Sequence, residues 1–94
     1  MIVVWSRRAI DNLIALRDYI AEDNPHSAGS VARQILDAVE LLTTQPHIGR
    51  AGRITRTREL VVPGTPYVIP YWVQRGRLEL LAVLHGRQKW PGKF

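Results

Sequence analysis

The sequence predicts an α+β domain of order β-α-α-β-β-β, with a helical hairpin packed on an antiparallel sheet. Three observations carry this. Two stretches of the first half repeat apolar residues at helical spacing. The second half holds three apolar or β-branched runs. The links between those runs are too short for anything but hairpins. A length of 94 residues suits a single domain, 1–94, with a modest core.

Ile2 to Trp5, IVVW, reads as a short strand. Ser6 is the N-cap of a helix from Arg7 to about Ala21, whose apolar positions Ala9, Ile10, Leu13, Leu16 and Ile20 share one face. Arg7 and Arg8 fall in its first turn, where the helix dipole disfavours cations, and so hint at an outside contact. The break Glu22 to Pro25, EDNP, ends this helix; Asn24 caps a second one and Pro25 suits its first position. That helix runs to about Thr43, with Ala28, Val31, Ala32, Ile35, Leu36, Val39 and Leu42 on its apolar face.

Residues 45–56, QPHIGRAGRITR, read as a basic loop rich in turn residues. It lacks the Gly-Lys-Ser/Thr ending of a phosphate-cradling P-loop. Thr57 to Val62 is a strand and Pro63 to Pro66 a turn. Tyr67 to Val73 is the next strand, and Pro70 inside it points to an edge position or a bulge. Arg75-Gly76 turns the chain into a last strand, Arg77 to His85. Its apolar run suits a strand covered on both faces, with Leu81, Val83 and His85 on one side and Ala82, Leu84 and Gly86 on the other.

A hydrophobic fraction of 46% is globular, and the lack of cysteine removes disulfides, thiol nucleophiles and thiolate metal sites. No apolar run approaches the ~20 residues that span a bilayer, and the start lacks a signal peptide's order. The expectation is a soluble, cytoplasmic protein without a membrane partner. His26, His47 and His85 match no ligand spacing, so neither metal nor cofactor is expected. Residues 1–45 hold four arginines against six carboxylates, a balance of −2; residues 46–94 hold nine basic residues against two, a balance of +7. Eleven of the thirteen basic residues are arginine, which suits bidentate recognition of phosphate or carboxylate. Such a half implies an acidic partner.

Six segments in order resemble the RelE/ParE superfamily of bacterial type II toxins. They are W-S-x-x-A-x-x-x-L from Trp5, Y-I-A-x-x-N-P from Tyr19, P-x-x-G-R-x-G-R from Pro46, T-R-E-L-V-V from Thr57, P-Y-x-I-x-Y from Pro66 and L-H-G-R-Q-K-W-P from Leu84. Together they cover nearly the whole chain and are most similar to the ParE branch. The resemblance implies one of two actions. RelE-like ribonucleases cut messenger RNA on the ribosome without a metal, using the RNA's 2′-OH, basic groups and a proton carrier. They place an arginine on the middle strand, where this chain has Val68, and end on residues that align with Gln88 and Phe94 here. The remaining ribonuclease set is Glu59 as base, His85 as acid, and Arg58 with Arg87 as phosphate clamps. ParE-like members are described as DNA gyrase poisons that stabilise the cleaved DNA–gyrase complex and need no catalytic groups.

The favoured expectation is therefore a gyrase-directed toxin with no catalytic residue, neutralised by a cognate antitoxin. The alternatives are a ribonuclease acting on ribosome-bound mRNA, or an inactive homologue that only binds its antitoxin as co-repressor. Arg50, Arg53, Arg56, Arg58, Arg75, Arg77, Arg87, Lys89 and Trp90 are the expected target-binding set, as one continuous basic face. As purely structural groups, Glu59 would pair with a neighbouring arginine, His85 would be satisfied within the fold, and Trp90 would pack. An antitoxin segment needs an apolar groove, expected beside Ile35 and Val39 of the second helix and a sheet edge at Val68 and Pro70.

Overall fold

A computed structural model describes residues 1–94. The elements are β1 (Ile2–Trp5), α1 (Arg7–Asp23), α2 (Pro25–Thr44), β2 (Arg50–Ala51), β3 (Arg58–Val61), β4 (Tyr67–Gln74), β5 (Arg77–Leu80) and β6 (Leu84–His85). Both helices start where side-chain caps dictate. Ser6 Oγ accepts from the Ala9 N–H at 3.0 Å, and Asn24 Oδ1 accepts from the Ser27 N–H at 3.1 Å. Asn24 also ends α1, since its own N–H donates to the Ile20 carbonyl. One residue thus separates the helices, and the chain must fold back as a hairpin. Arg7 and Arg8, which hinted at an outside contact, have partners within the chain. Arg7 pairs with Asp11 at 3.3 Å, and Arg8 lies 5.3 Å from the Phe94 ring centroid.

The helices bury Ala9, Leu16, Ile35, Ala38, Val39 and Leu42 against one face of the sheet, formed by Leu60, Val62, Ile69, Tyr71, Leu78 and Leu80. Those strand residues alternate, as one pleated face requires. The strand order is β1-β5-β4-β3-β2, with β6 also on β4. The expected meander is antiparallel, and β1 joins its far side parallel to β5, Ile2 opposite Arg77 and Trp5 opposite Leu80. A parallel neighbour is possible because the whole helical hairpin lies between these strands. The basic loop also forms a short strand, β2, which sets Arg50 opposite Glu59.

The expected last strand breaks after Leu80 and resumes at Leu84. Tyr71 faces Leu80 and Val68 faces Leu84, so three steps on β4 oppose four on its partner, which is a bulge. The simple alternation expected from Leu81 to Gly86 ends there, and Leu81, Ala82, Val83 and Leu84 are all buried. Pro70 explains the break. β4 is an inner strand, and Pro70 faces the bulge rather than an open edge. It accepts from the Leu81 N–H at 2.9 Å but has no N–H to return. The Leu81 carbonyl takes its hydrogen bond from Ser6 Oγ instead, at 3.0 Å. Asn12 of α1 serves the Val83 N–H at 3.1 Å. The helix that covers the sheet therefore repairs the ladder that proline interrupts.

Replacing Ser6 removes a helix cap and orphans the Leu81 carbonyl together. Ser6→Ala should lower unfolding free energy by about 2–3 kcal/mol, against about 1 kcal/mol for Asn24→Ala, which loses only a cap. Urea denaturation of both variants checks the difference.

Candidate functional site

The face of the sheet turned away from the helices carries a buried carboxylate. The Glu59 side chain is 3% exposed. Its Oε1 accepts from Arg50 Nη2 at 3.0 Å and Nε at 3.3 Å, and from Arg53 Nη2 at 3.3 Å. Oε2 accepts from the Arg53 backbone N–H at 2.7 Å and from Arg53 Nε at 3.1 Å. Local structure makes this possible. The β2–β3 ladder sets Arg50 beside Glu59, and the Gly52 N–H closes the turn on the Thr57 carbonyl at 2.8 Å. A side chain at Gly52 would collide with Thr57 Oγ1 and its backbone. The turn then delivers Arg53 to the same carboxylate.

Burial pushes the Glu59 carboxyl up. The Arg53 backbone N–H, the Arg53 and Arg50 side chains and the charge of Arg53 pull it down further, so it lies below its ordinary value of 4.5. A carboxylate with lowered basicity and both oxygens occupied is a poor proton acceptor. The geometry thus gives Glu59 an ion-pairing role, with no free oxygen for work as a base. Arg58 is also engaged within the fold: Nη1 donates to the His47 carbonyl at 3.1 Å and the Gly49 carbonyl at 2.9 Å. Tyr71 holds the same loop, accepting from the Gly49 N–H at 2.9 Å and donating to the Pro46 carbonyl at 2.8 Å.

The Arg53 guanidinium stacks over Trp90, 3.5 Å from the ring centroid, and Trp90 Nε1 donates to the His85 carbonyl at 3.2 Å. Trp90 packs, as its structural reading has it, but on an arginine of the basic loop. His85 Nδ1 accepts from the Arg87 N–H at 3.1 Å, which leaves Nε2 open. Arg50 and Arg53 keep about half of their side chains exposed, at 55% and 44%. Arg56, in a left-handed backbone conformation (φ 70°), Arg87 and Lys89 are exposed nearby in sequence.

The expected basic residues do not form one contact cluster. Arg75 and Arg77 sit at the β4–β5 hairpin, where Gln74 faces Arg77, while Glu59, which holds Arg50 and Arg53, faces Pro70. Four residues of strand, about 13 Å, separate Pro70 from Gln74. The structure brings together Arg50, Arg53, Glu59 and Trp90 and leaves Arg75 and Arg77 apart. The Arg53–Trp90 stack has no sequence signal, because its partners lie far apart in the chain and on irregular segments.

The expected groove residues are corrected. Ile35, Val39, Val68 and Pro70 are all buried. Ile35 and Val39 face the sheet in the core, and Val68 and Pro70 lie on β4, which is no edge. An apolar groove of about 500 Å³ opens on the other side of α2, against β3, where Leu41, Ile48 and Val61 are exposed. β2 covers only part of β3, so the ladder's alternation turns the Val61 N–H and carbonyl toward an unpaired edge. No three His, Asp or Glu side chains cluster as metal ligands, and no helix is long and apolar enough to cross a membrane.

A helical hairpin thus covers one sheet face, a carboxylate-pinned arginine pair lies on the other, and an apolar groove opens at the edge. The chain belongs to the ParE toxin family of type II toxin-antitoxin systems (parDE), whose model matches residues 3–90. It is 44% identical over 87 residues to "Putative toxin Y4kP" of Sinorhizobium fredii, covering 93% of this chain and 90% of that protein. Over 83 residues it is 37% identical to Toxin RelE2 of Caulobacter vibrioides, covering 88% and 92%. A solved structure, the chromosomal ParDE system from P. aeruginosa, shares the fold with a TM-score of 0.81 at 24% identity, over 90% of this chain and 95% of that one.

Glu59 holds its proton less tightly in the folded chain than in the unfolded one. Folding favours its ionised form, so its stabilisation is complete above the unfolded value of 4.5 and is lost as pH falls through the folded value. Thermal melts from neutral to acid pH should show a loss of stability below about pH 4.5 that is shallower in Glu59→Gln.

Proposed function

We propose that this toxin acts in the cytoplasm on DNA gyrase, holding the cleaved DNA–gyrase complex through Arg50 and Arg53 without making or breaking a bond itself. One observation carries the reading: the only buried carboxylate immobilises two arginines and leaves half of each facing outward. A pre-ordered guanidinium loses less freedom on meeting a phosphate or carboxylate than a mobile one. The ribonuclease set also loses its base, since both oxygens of Glu59 are occupied within the fold. Arg56, Arg87 and Lys89 would extend the contact, and Arg75 and Arg77 would form a separate one.

A ribosome-directed ribonuclease is the second reading. It draws on the open Nε2 of His85 and on the relative named RelE2. It would leave His85, Arg58 and Arg87 to carry the chemistry, with neither a base nor a middle-strand cation.

The family implies a cognate antitoxin. We infer that it docks in the groove between α2 and β3, laying apolar side chains against Leu41 and Ile48 and pairing its backbone with the edge at Val61.

Purified gyrase with supercoiled plasmid tests the target. The expected result is dose-dependent linear DNA, reduced about tenfold or more in Arg50→Ala/Arg53→Ala. Absence of cleaved DNA, with cut mRNA in a translating extract, would reverse the assignment. For the groove, Leu41→Glu should abolish co-purification with the antitoxin and leave growth inhibition in place. Undiminished co-purification would remove the antitoxin from that groove.

A further inference from the structure

A second cleft, of about 340 Å³, opens between α1, the start of β4 and the segment after β6. Three of its polar side chains, Asn12, His85 and Gln88, are each fixed by a single bond that leaves another site unused. Asn12 Oδ1 accepts from the Val83 N–H, so its amide NH2 is left over. Gln88 Oε1 accepts from the His85 N–H at 2.7 Å, which leaves the Gln88 NH2. The bond from the Arg87 N–H to His85 Nδ1 leaves Nε2. Of the three tyrosine hydroxyls, that of Tyr71 is consumed by Pro46 and Gly49. Those of Tyr19 and Tyr67, which line the cleft, have no partner in the chain.

Two further features narrow the ligand. Tyr67 is braced edge-on against His85, ring centroids 5.7 Å apart, and burial followed by the neighbouring Tyr19 holds its phenol above the ordinary range. It is a neutral donor on a fixed ring. Tyr19 is 71% exposed on α1 and contributes little to the core, yet it stands at the cleft's rim. No carboxylate lines the cleft, and Leu16 and Val83 give it an apolar floor. Flat aromatic walls, an apolar floor and a surplus of donors match a molecule with two bare faces and acceptors along one edge. An unstacked pyrimidine has this form, since its Watson–Crick edge offers two acceptors where a purine's offers one. Arg87 follows His85 by two residues on an exposed segment and is the cation nearest to it in sequence.

We propose that this cleft binds an unstacked pyrimidine of single-stranded nucleic acid, with Tyr19 and Tyr67 against the base, Asn12 and Gln88 donating to its edge, and Arg87 at the adjoining phosphate. The site shares no residue with the Arg50–Arg53–Glu59 cluster, takes in His85 and Arg87 of the ribonuclease reading, and stands whether or not gyrase is the target.

Fluorescence anisotropy with labelled oligo(dT), oligo(rU), oligo(dA) and duplex of about ten nucleotides tests it directly, with no gyrase present. At matched salt, oligo(dT) or oligo(rU) should bind about tenfold more tightly than oligo(dA) or duplex, and whichever wins names the sugar. Tyr19→Ala and Gln88→Glu should each weaken that binding about tenfold at an unchanged melting temperature. Gln88→Glu keeps the acceptor for the His85 N–H, so it separates donation to the ligand from support of the fold. Arg87→Ala should lower the salt dependence of binding by about one phosphate. Equal affinity for all four probes, parental affinity in both cleft variants, or a cleft that takes an acidic peptide and no oligonucleotide would each overturn the proposal.

Discussion

One buried charge ties the basic loop and the segment after β6 to the sheet. A carboxylate removed from water is costly unless hydrogen bonds and opposite charge replace its hydration. Glu59 recovers that loss with donors from Arg50 and Arg53, both supplied by a short, otherwise irregular segment. The segment is thereby drawn onto the sheet. Arg53 in turn supports Trp90, so the chain after β6 rests on the same carboxylate at one remove. Two irregular pieces of chain, the loop that carries Arg50 and Arg53 and the segment after β6, are tied to the sheet through a single ionised group.

This arrangement also governs what the arginines can do. A surface arginine in a loop carries rotamer entropy that must be lost on binding. Here the intramolecular ion pair has already removed most of it. The residual surface of Arg50 lies on the sheet edge that holds β2, and the unpaired edge at Val61 continues the same side of β3. On the reading developed above, an antitoxin strand added at Val61 would run toward Arg50, so neutralisation would follow from covering the edge without a conformational change.

Local chemistry made much of the fold legible in the sequence. Ser6, Asn24 and Pro25 mark both helix starts because capping involves only residues three apart. The PGTP and Arg75-Gly76 turns mark the hairpins for the same reason. The partner of β1 was not legible, since a strand's period says which face is apolar but not which neighbour it meets. Pro70 carried a real signal, and its bulge is present. Its rescue by Ser6 joins residues far apart in sequence and could not be read from either. The groove was misplaced because apolar periodicity identifies a helix's buried stripe, and an unpartnered patch lies by definition outside it. At the site, pairing of Glu59 with a nearby arginine was readable from composition, whereas which arginines it takes depends on the turn at Gly52.

The most direct test is a mutant cycle on growth inhibition, combining Glu59→Gln with Arg50→Ala/Arg53→Ala in the expressed toxin. If the carboxylate matters because it holds the two arginines, Glu59→Gln and Arg50→Ala/Arg53→Ala will each weaken killing, and their combination will be no worse than Arg50→Ala/Arg53→Ala. Additive losses, or full lethality with both arginines removed, would contradict the account.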